Sequence, residues 1–231
     1  MPNCASFWKK SSRSIQVAEQ VKAEIGCCVI TPVKTRWNST YDSMKQLAEH
    51  IEKLDIIFDK ADKTILLMSL EKEFLIAYKE VVGPVAWALD KLQGENNMFL
   101  SYLAPIIHQA KSKLDSFSAS ESAFLSHLAA ALITGFQQRY SKILNLDLKE
   151  AFNEIMSAIS LPQFKLWWIG DPESKERCKA AFITEAKKYE SCAAAQSCTD
   201  ACEADACNDD DLFDFQKELA KTPTTQENAE L

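Results

Sequence analysis

Lys9, Lys10 and Arg13 stand beside Trp8 near the N-terminus. Ammonium and guanidinium groups pair with phosphate oxygens and an indole face stacks on a base, so this combination has the chemistry of nucleic-acid contact. The same pattern describes a solvated helix face, and the residues alone leave both readings open. Eight cysteines offer a second chemistry. Cys4, Cys27, Cys28 and Cys178 are scattered, while Cys192, Cys198, Cys202 and Cys207 fall at irregular intervals in an Ala-rich segment without a nearby histidine. No Cys-x2-Cys pair, the spacing that lets two thiolates reach one tetrahedral ion, occurs among them. Neither a zinc scaffold nor a disulfide framework is expected, and in a reducing compartment the last four remain free thiols. The three histidines lack partners at ligand spacing: His50 is expected at the surface, His108 isolated, and His127 packed or half-exposed. No metal, cofactor or small-molecule substrate is expected.

The elements that must position these residues read as helices. At 231 residues the chain has room for one ordinary domain and a tail. Hydrophobic residues make up 47%, enough for a substantial core, whereas Gly 5 and Pro 7 leave little material for the tight turns of a β-sandwich. The expected fold class is all-α. No apolar run approaches bilayer-spanning length and the first residues lack the basic-then-apolar pattern of a signal peptide, so a soluble, intracellular chain with no membrane partner is expected. The net charge of −7 is unevenly spread. Residues 190–231 carry eleven acidic residues and two lysines, leaving the first 189 at +2, with no dense basic stripe.

In chain order, Phe7, Ile15, Ala18, Val21 and Ile25 suit a helix over residues 5–25. Gly26 interrupts it, and Cys28–Pro32 reads as an extended linker or short strand, because the residue before proline avoids the helical region. Asn38 or Ser39 is expected to cap a helix of five or six turns whose apolar face runs from Tyr41 through Met44, Leu47, Ile51 and Leu54 to Phe58. Ser69 is expected to cap the next helix, which should kink or restart at Pro84, with Trp87, Leu89 and Leu92 in the core. Gln93–Asn97 reads as a helix–helix turn. Residues 98–116 form a further amphipathic segment, and Ser118 or Ser120 begins a helix carrying Phe124, Leu128, Leu132, Phe136 and Tyr140. Asn145 or Asp147 caps a shorter helix ending at Leu161-Pro162, and Phe164, Leu166, Trp167, Trp168 and Ile169 form a buried anchor. Asp171-Pro172 is the cap and first residue of a last helix ending near Tyr189. Beyond it residues 190–231 read as a disordered acidic tail, in which Leu212, Phe213 and Phe215 among acids could dock as a short motif.

Four strings carry a resemblance. Thr35-Arg36-Trp37-Asn38-Ser39-Thr40, followed by Tyr41 and Asp42, resembles the Thr-Arg-Trp-Asn-Ser segment of hAT-superfamily transposases and their domesticated zinc-finger BED relatives. Val82-Gly83-Pro84, Ala88 to Glu95 (Ala-Leu-Asp-Lys-Leu-Gln-Gly-Glu) and Leu103-Ala104-Pro105-Ile106 are similar to that family's Pro … Leu-Gln-Gly-Glu … Leu-Pro series, in the same order. Leu161-Pro-Gln-Phe-Lys-Leu-Trp-Trp168 resembles its Pro-x-Phe-Lys-x-x-Trp segment, and Asp209–Phe215 its acidic, aromatic linker. Together they cover most of residues 31 to 215.

The resemblance implies a helical insertion domain of an RNase H-like transposase over residues 34–189, preceded by an N-terminal helix and linker over 1–33 and followed by the tail. Such transposases cut DNA with metal ions held by two aspartates and a glutamate, one ion activating the attacking hydroxyl and the other stabilising the leaving oxygen. In the family both aspartates precede the Thr-Arg-Trp-Asn-Ser segment, yet residues 1–41 here contain none, and Glu176-Arg177 matches only two letters of the family's glutamate motif. The family's BED zinc finger is not found among these residues either. The expectation is a catalytically inactive fragment, nuclear, contributing to DNA binding or oligomerisation, with DNA, itself or another transposase-derived protein as partner. Arg36 and Trp37 are the residues assigned to a DNA or core contact; the plainer role for Trp37 is buried packing, and for Arg36 a carboxylate partner. A helical protein–protein adaptor is the alternative.

Overall fold

A computed structural model describes residues 2–33, 35–62, 68–94 and 99–193, the last four of these by backbone alone. Those residues are all-α: nine helices and no strand among them. They divide into two compact units, one drawn from residues 2–98 and 110–141, the other from 99–109 and 142–193.

The first unit opens with α1 (Pro2–Arg13) and α2 (Ile15–Ile25) where the apolar spacing predicts one helix. Ser14 is the reason for the break. Its backbone is extended (φ −123°, ψ 112°) and its hydroxyl accepts the Val17 N–H at 3.3 Å, capping α2. Gly26, in the left-handed region at φ 80°, closes that helix as expected. The next predicted helix is also divided, into α3 (Trp37–Glu49), a 3-10 turn at Ile51–Lys53 and α4 (Leu54–Ala61). His50 leaves the helical region (φ −111°, ψ 30°), and its Nδ1 sits 2.9 Å from the Gln46 carbonyl oxygen. It is therefore half-buried, not a surface residue. The bend lets α4 pack on α1 and α2 while α3 packs on α5 (Ser69–Leu92). Phe7 and Phe58 stack at 4.6 Å in the resulting core, with Val21, Leu47, Leu54, Ile57 and Leu75 around them.

α5 does not restart at Pro84; it runs unbroken for 24 residues. A proline inside a helix removes one donor and costs about 3 kcal/mol. Here Val81, Val82, Pro84, Ala86 and Ala88 are all buried, and that packing offsets the loss. Trp87, Leu89 and Leu92, expected in the core, are only half-buried. Met68 rather than Ser69 holds the cap position, and the Glu71 carboxylate accepts its N–H at 3.1 Å. Of Gln93–Asn97, only Gln93 and Gly94 lie within the described residues. A second, smaller core joins Val81, Leu114 and Ala129, with Leu125, Leu128, Leu132, Ile133 and Phe136 half-buried against it. It is built from α5, the later part of α6 (Leu103–Ser118) and α7 (Ala123–Leu144).

The second unit contains a 3-10 turn at Leu100–Tyr102, the start of α6, α8 (Phe152–Ser160) and α9 (Pro172–Ala193). α8 begins later than Asn145 or Asp147 would place it. Leu146 takes a positive φ of 51°, and the Asp147 carboxylate accepts the Lys149 N–H at 2.9 Å, so this stretch turns instead of winding. His108 is not isolated: its Nε2 lies 3.1 Å from the Ile143 carbonyl oxygen and its ring meets Trp168 edge-on at 5.0 Å. Phe164, Trp168 and Ile169 are buried as expected, whereas Trp167 is 48% exposed. Asp171 caps α9 through the Ser174 N–H at 2.8 Å, with Pro172 as the first helical residue. His127, on α7, is exposed. The acidic stretch Asp209–Phe215 and the rest of the tail after residue 193 lie outside the described residues.

Candidate nucleic-acid interface

The entry to α3 is built by two side chains that bind the loop before it. Gln46, buried on α3 between Met44 and Leu47, receives the Ile30 N–H on Oε1 at 2.8 Å. Its Nε2 donates to the Cys28 carbonyl oxygen at 2.9 Å and to Cys27 Sγ at 3.2 Å. Ser39 holds the later part: its hydroxyl accepts the Val33 N–H at 2.8 Å and lies 2.6 Å from the Arg36 carbonyl oxygen and 3.0 Å from that of Val33. The cap residue of α3 is consequently Arg36, in extended conformation (φ −123°, ψ 110°), and not Asn38 or Ser39. Ser39 binds backward to the loop instead of forward to the helix.

This arrangement presents Arg36 and Trp37 side by side to solvent. Trp37 is 46% exposed, which corrects its assignment to buried packing. Arg36 is exposed and no carboxylate among the described residues pairs with it, which corrects its assignment to an ion pair. From the next residue on, α3 is joined to α5. Asn38 Nδ2 donates to the Asp90 carboxylate, and the Tyr41 hydroxyl donates to the Lys79 carbonyl oxygen at 3.4 Å. The same hydroxyl lies over Gly83, where a β-carbon would meet it at 3.2 Å. Burial, with the nearby carboxylates of Asp42, Glu49 and Asp90, holds the Tyr41 hydroxyl above its ordinary pKa, so it stays protonated and donates. Two of the strings quoted above, the one around Trp37 and the one running through Gly83 and Asp90, thus meet in space.

The N-terminal basic cluster is arranged differently. Lys9, Lys10 and Arg13 are exposed on α1, and Lys10 pairs with Asp62 at 2.8 Å. Trp8 is 8% exposed and belongs to the core with Cys4 and Phe7, so it cannot stack on a base. The phosphate half of that expected combination is on the surface and the aromatic half is not. α1 packs on α2 and α4 whereas α3 packs on α5, so the two candidate sets belong to different helix pairs.

Other chemistries find less material. Among the described residues no three His, Cys, Asp or Glu side chains are grouped to hold a metal ion; the side chains of Cys192, Cys198, Cys202 and Cys207 are outside that set. A cavity of about 10 Å³ between Phe7, Val21, Leu47, Ile57 and His50 has room for about one water and no metabolite. No helix among the described residues is long and apolar enough to cross a membrane. Sequence reasoning missed Gln46 and singled out Ser39 for the wrong role, as the cap of α3. The available signal for Gln46 was a polar residue interrupting the apolar face Met44-Leu47-Ala48 of α3. No family model, curated protein or solved structure matches the chain.

Proposed function

We propose that this chain is a helical region of hAT-transposase descent, without cutting activity of its own, that contacts DNA through the entry to α3 in the nucleus. The observation that carries the reading is the exposed Arg36, with no carboxylate partner among the described residues, next to the half-exposed Trp37, on a loop held by Ser39 and Gln46. A guanidinium pairs with phosphate and an indole stacks on a base or lies along a sugar, and both gain from being held in place beforehand. Lys9 and Arg13 add exposed positive charge on α1. The joining of the Trp37 string to the Gly83–Asp90 string supports the resemblance, because residues quoted for it serve one packing contact.

The test is light scattering of the purified chain at several concentrations, with and without generic double-stranded DNA at low and moderate salt. A DNA complex that weakens with salt, and weakens further in Arg36→Ala and Trp37→Ala, is the expected result. A mass unchanged by DNA at low salt overturns the DNA reading.

A second reading, a protein–protein adaptor of the same descent, is favoured by one observation in the second unit. Phe99 (60% exposed), Leu100 (48%) and Trp167 (48%) flank an aromatic row in which Tyr102 contacts Phe99 at 6.4 Å and Phe164 at 5.0 Å. Concentration-dependent dimerisation that is lost in Trp167→Ala is the result that selects it.

A further inference from the structure

The free cysteines of the described residues form two classes. Cys4 and Cys178 have no exposed surface, and burial pushes the Cys4 thiol up to about 11, so both are poor nucleophiles at neutral pH. Cys27 and Cys28 are exposed and adjacent. They directly follow Gly26, the last residue of the α2 cap, and open a stretch with no regular structure. That stretch is nevertheless held. The Gln46 amide donates to Cys27 Sγ and to the Cys28 carbonyl oxygen, so the first sulfur is oriented and the backbone of the second residue is anchored.

Adjacency decides what such a pair can bind. The α-carbons of neighbouring residues across a trans peptide are about 3.8 Å apart, closer than the roughly 4.4–6.8 Å that an ordinary disulfide spans. The Cys27–Cys28 peptide is trans, so a direct sulfur–sulfur bond between them is strained. A bridge lengthened by one large, soft atom relieves that constraint, and soft atoms prefer thiolate sulfur. Among the described residues no third Cys or His joins the two thiols to make a zinc site.

We infer that Cys27 and Cys28 form a vicinal dithiol site that captures trivalent arsenicals. With an arsenoxide, R–As=O, the two S–H bonds break and two As–S bonds form. The arsenoxide oxygen leaves with both protons as water, and arsenic stays trivalent, so no oxidant or reductant is involved. Capture draws the Cys27 sulfur into the new ring and away from the Gln46 amide.

The experiment uses the full chain, reduced and freed of reductant, with one equivalent of phenylarsine oxide, read by intact mass and by mapping the adduct after proteolysis. One phenylarsenic group on the peptide containing both Cys27 and Cys28 is expected. It should survive a large excess of a monothiol and be stripped by a small dithiol. Cys27→Ser and Cys28→Ser should each abolish monothiol-resistant capture at that peptide, with helical circular dichroism unchanged because both positions are exposed. A chain with Cys192, Cys198, Cys202 and Cys207 all changed to Ser should retain it. An adduct that maps to the last four cysteines instead, or one that persists at this peptide in either single serine variant, overturns the assignment.

Discussion

The Tyr41 hydroxyl lies 3.2 Å from the position that a β-carbon on Gly83 would occupy. That contact explains a glycine in the middle of a long helix, where an alanine is otherwise favoured by about 1 kcal/mol. Gly83→Ala should therefore leave stability nearly unchanged, because the helix-propensity gain is offset by the shift forced on Tyr41. In a Tyr41→Phe background, which removes the hydroxyl, the same Gly83→Ala change should stabilise by about 1 kcal/mol. Urea unfolding of the four proteins measures the difference; equal effects in the two backgrounds would mean that Tyr41 does not select the glycine.

Buried polar atoms of α1 supply a second prediction. Ser11 is 6% exposed and its hydroxyl has no hydrogen-bond partner among the described residues. Ser11→Ala removes a desolvated group that returns nothing, so it should be neutral or stabilising by up to roughly 1 kcal/mol. Phe58→Ala, which breaks the stack on Phe7 in the same core, should cost about 3–5 kcal/mol. A destabilising Ser11→Ala in chemical denaturation would reveal a bound water or another acceptor at that hydroxyl.

The α9 cap makes stability depend on acidity. Hydrogen bonds from the side chain and backbone of Ser174 hold the Asp171 carboxyl below its ordinary value in the folded chain. Its contribution is thus fully present above the unfolded value of about 3.9 and is lost as pH falls through the lower folded value. Asp171→Asn keeps a capping oxygen and removes the charge. The melting temperature of Asp171→Asn should lie below that of the wild type near neutral pH, and the gap should close in acid. A gap that stays constant across the acid range would show that the charge contributes nothing.

At the α3 entry, binding and stability should separate. Arg36→Ala alters a solvent-facing side chain and should change unfolding free energy by no more than about 0.5 kcal/mol, whereas Trp37→Ala also removes the covered half of the indole and should cost roughly 1–2 kcal/mol. Ser39→Ala removes the acceptor of the Val33 N–H and should destabilise the chain by about 1 kcal/mol. If Arg36 neutralises one phosphate, Arg36→Ala should lower the slope of log K against log salt by about one. Thermal melts and DNA titrations at several salt concentrations check both halves.

The sequence by itself determined the all-α class, because apolar spacing of three and four residues and scarce glycine and proline are local properties of the chain. It also determined the closure of α2 at Gly26 and the Asp171-Pro172 start of α9, where one or two residues carry the whole backbone preference. Where helices bend and which aromatic side chains face solvent was decided only by the tertiary structure. The breaks at Ser14 and His50 leave the apolar period intact, so spacing alone reads straight through them. At Pro84 the opposite holds: the local preference says break, and burial of Val81, Val82, Ala86 and Ala88 overrides it. Trp8, Trp37 and Trp167 show the same division at the level of a single side chain. A tryptophan serves as core or as contact surface according to whether another element covers it. Helix packing covers Trp8, whereas Trp37 and Trp167 keep close to half of their surface exposed.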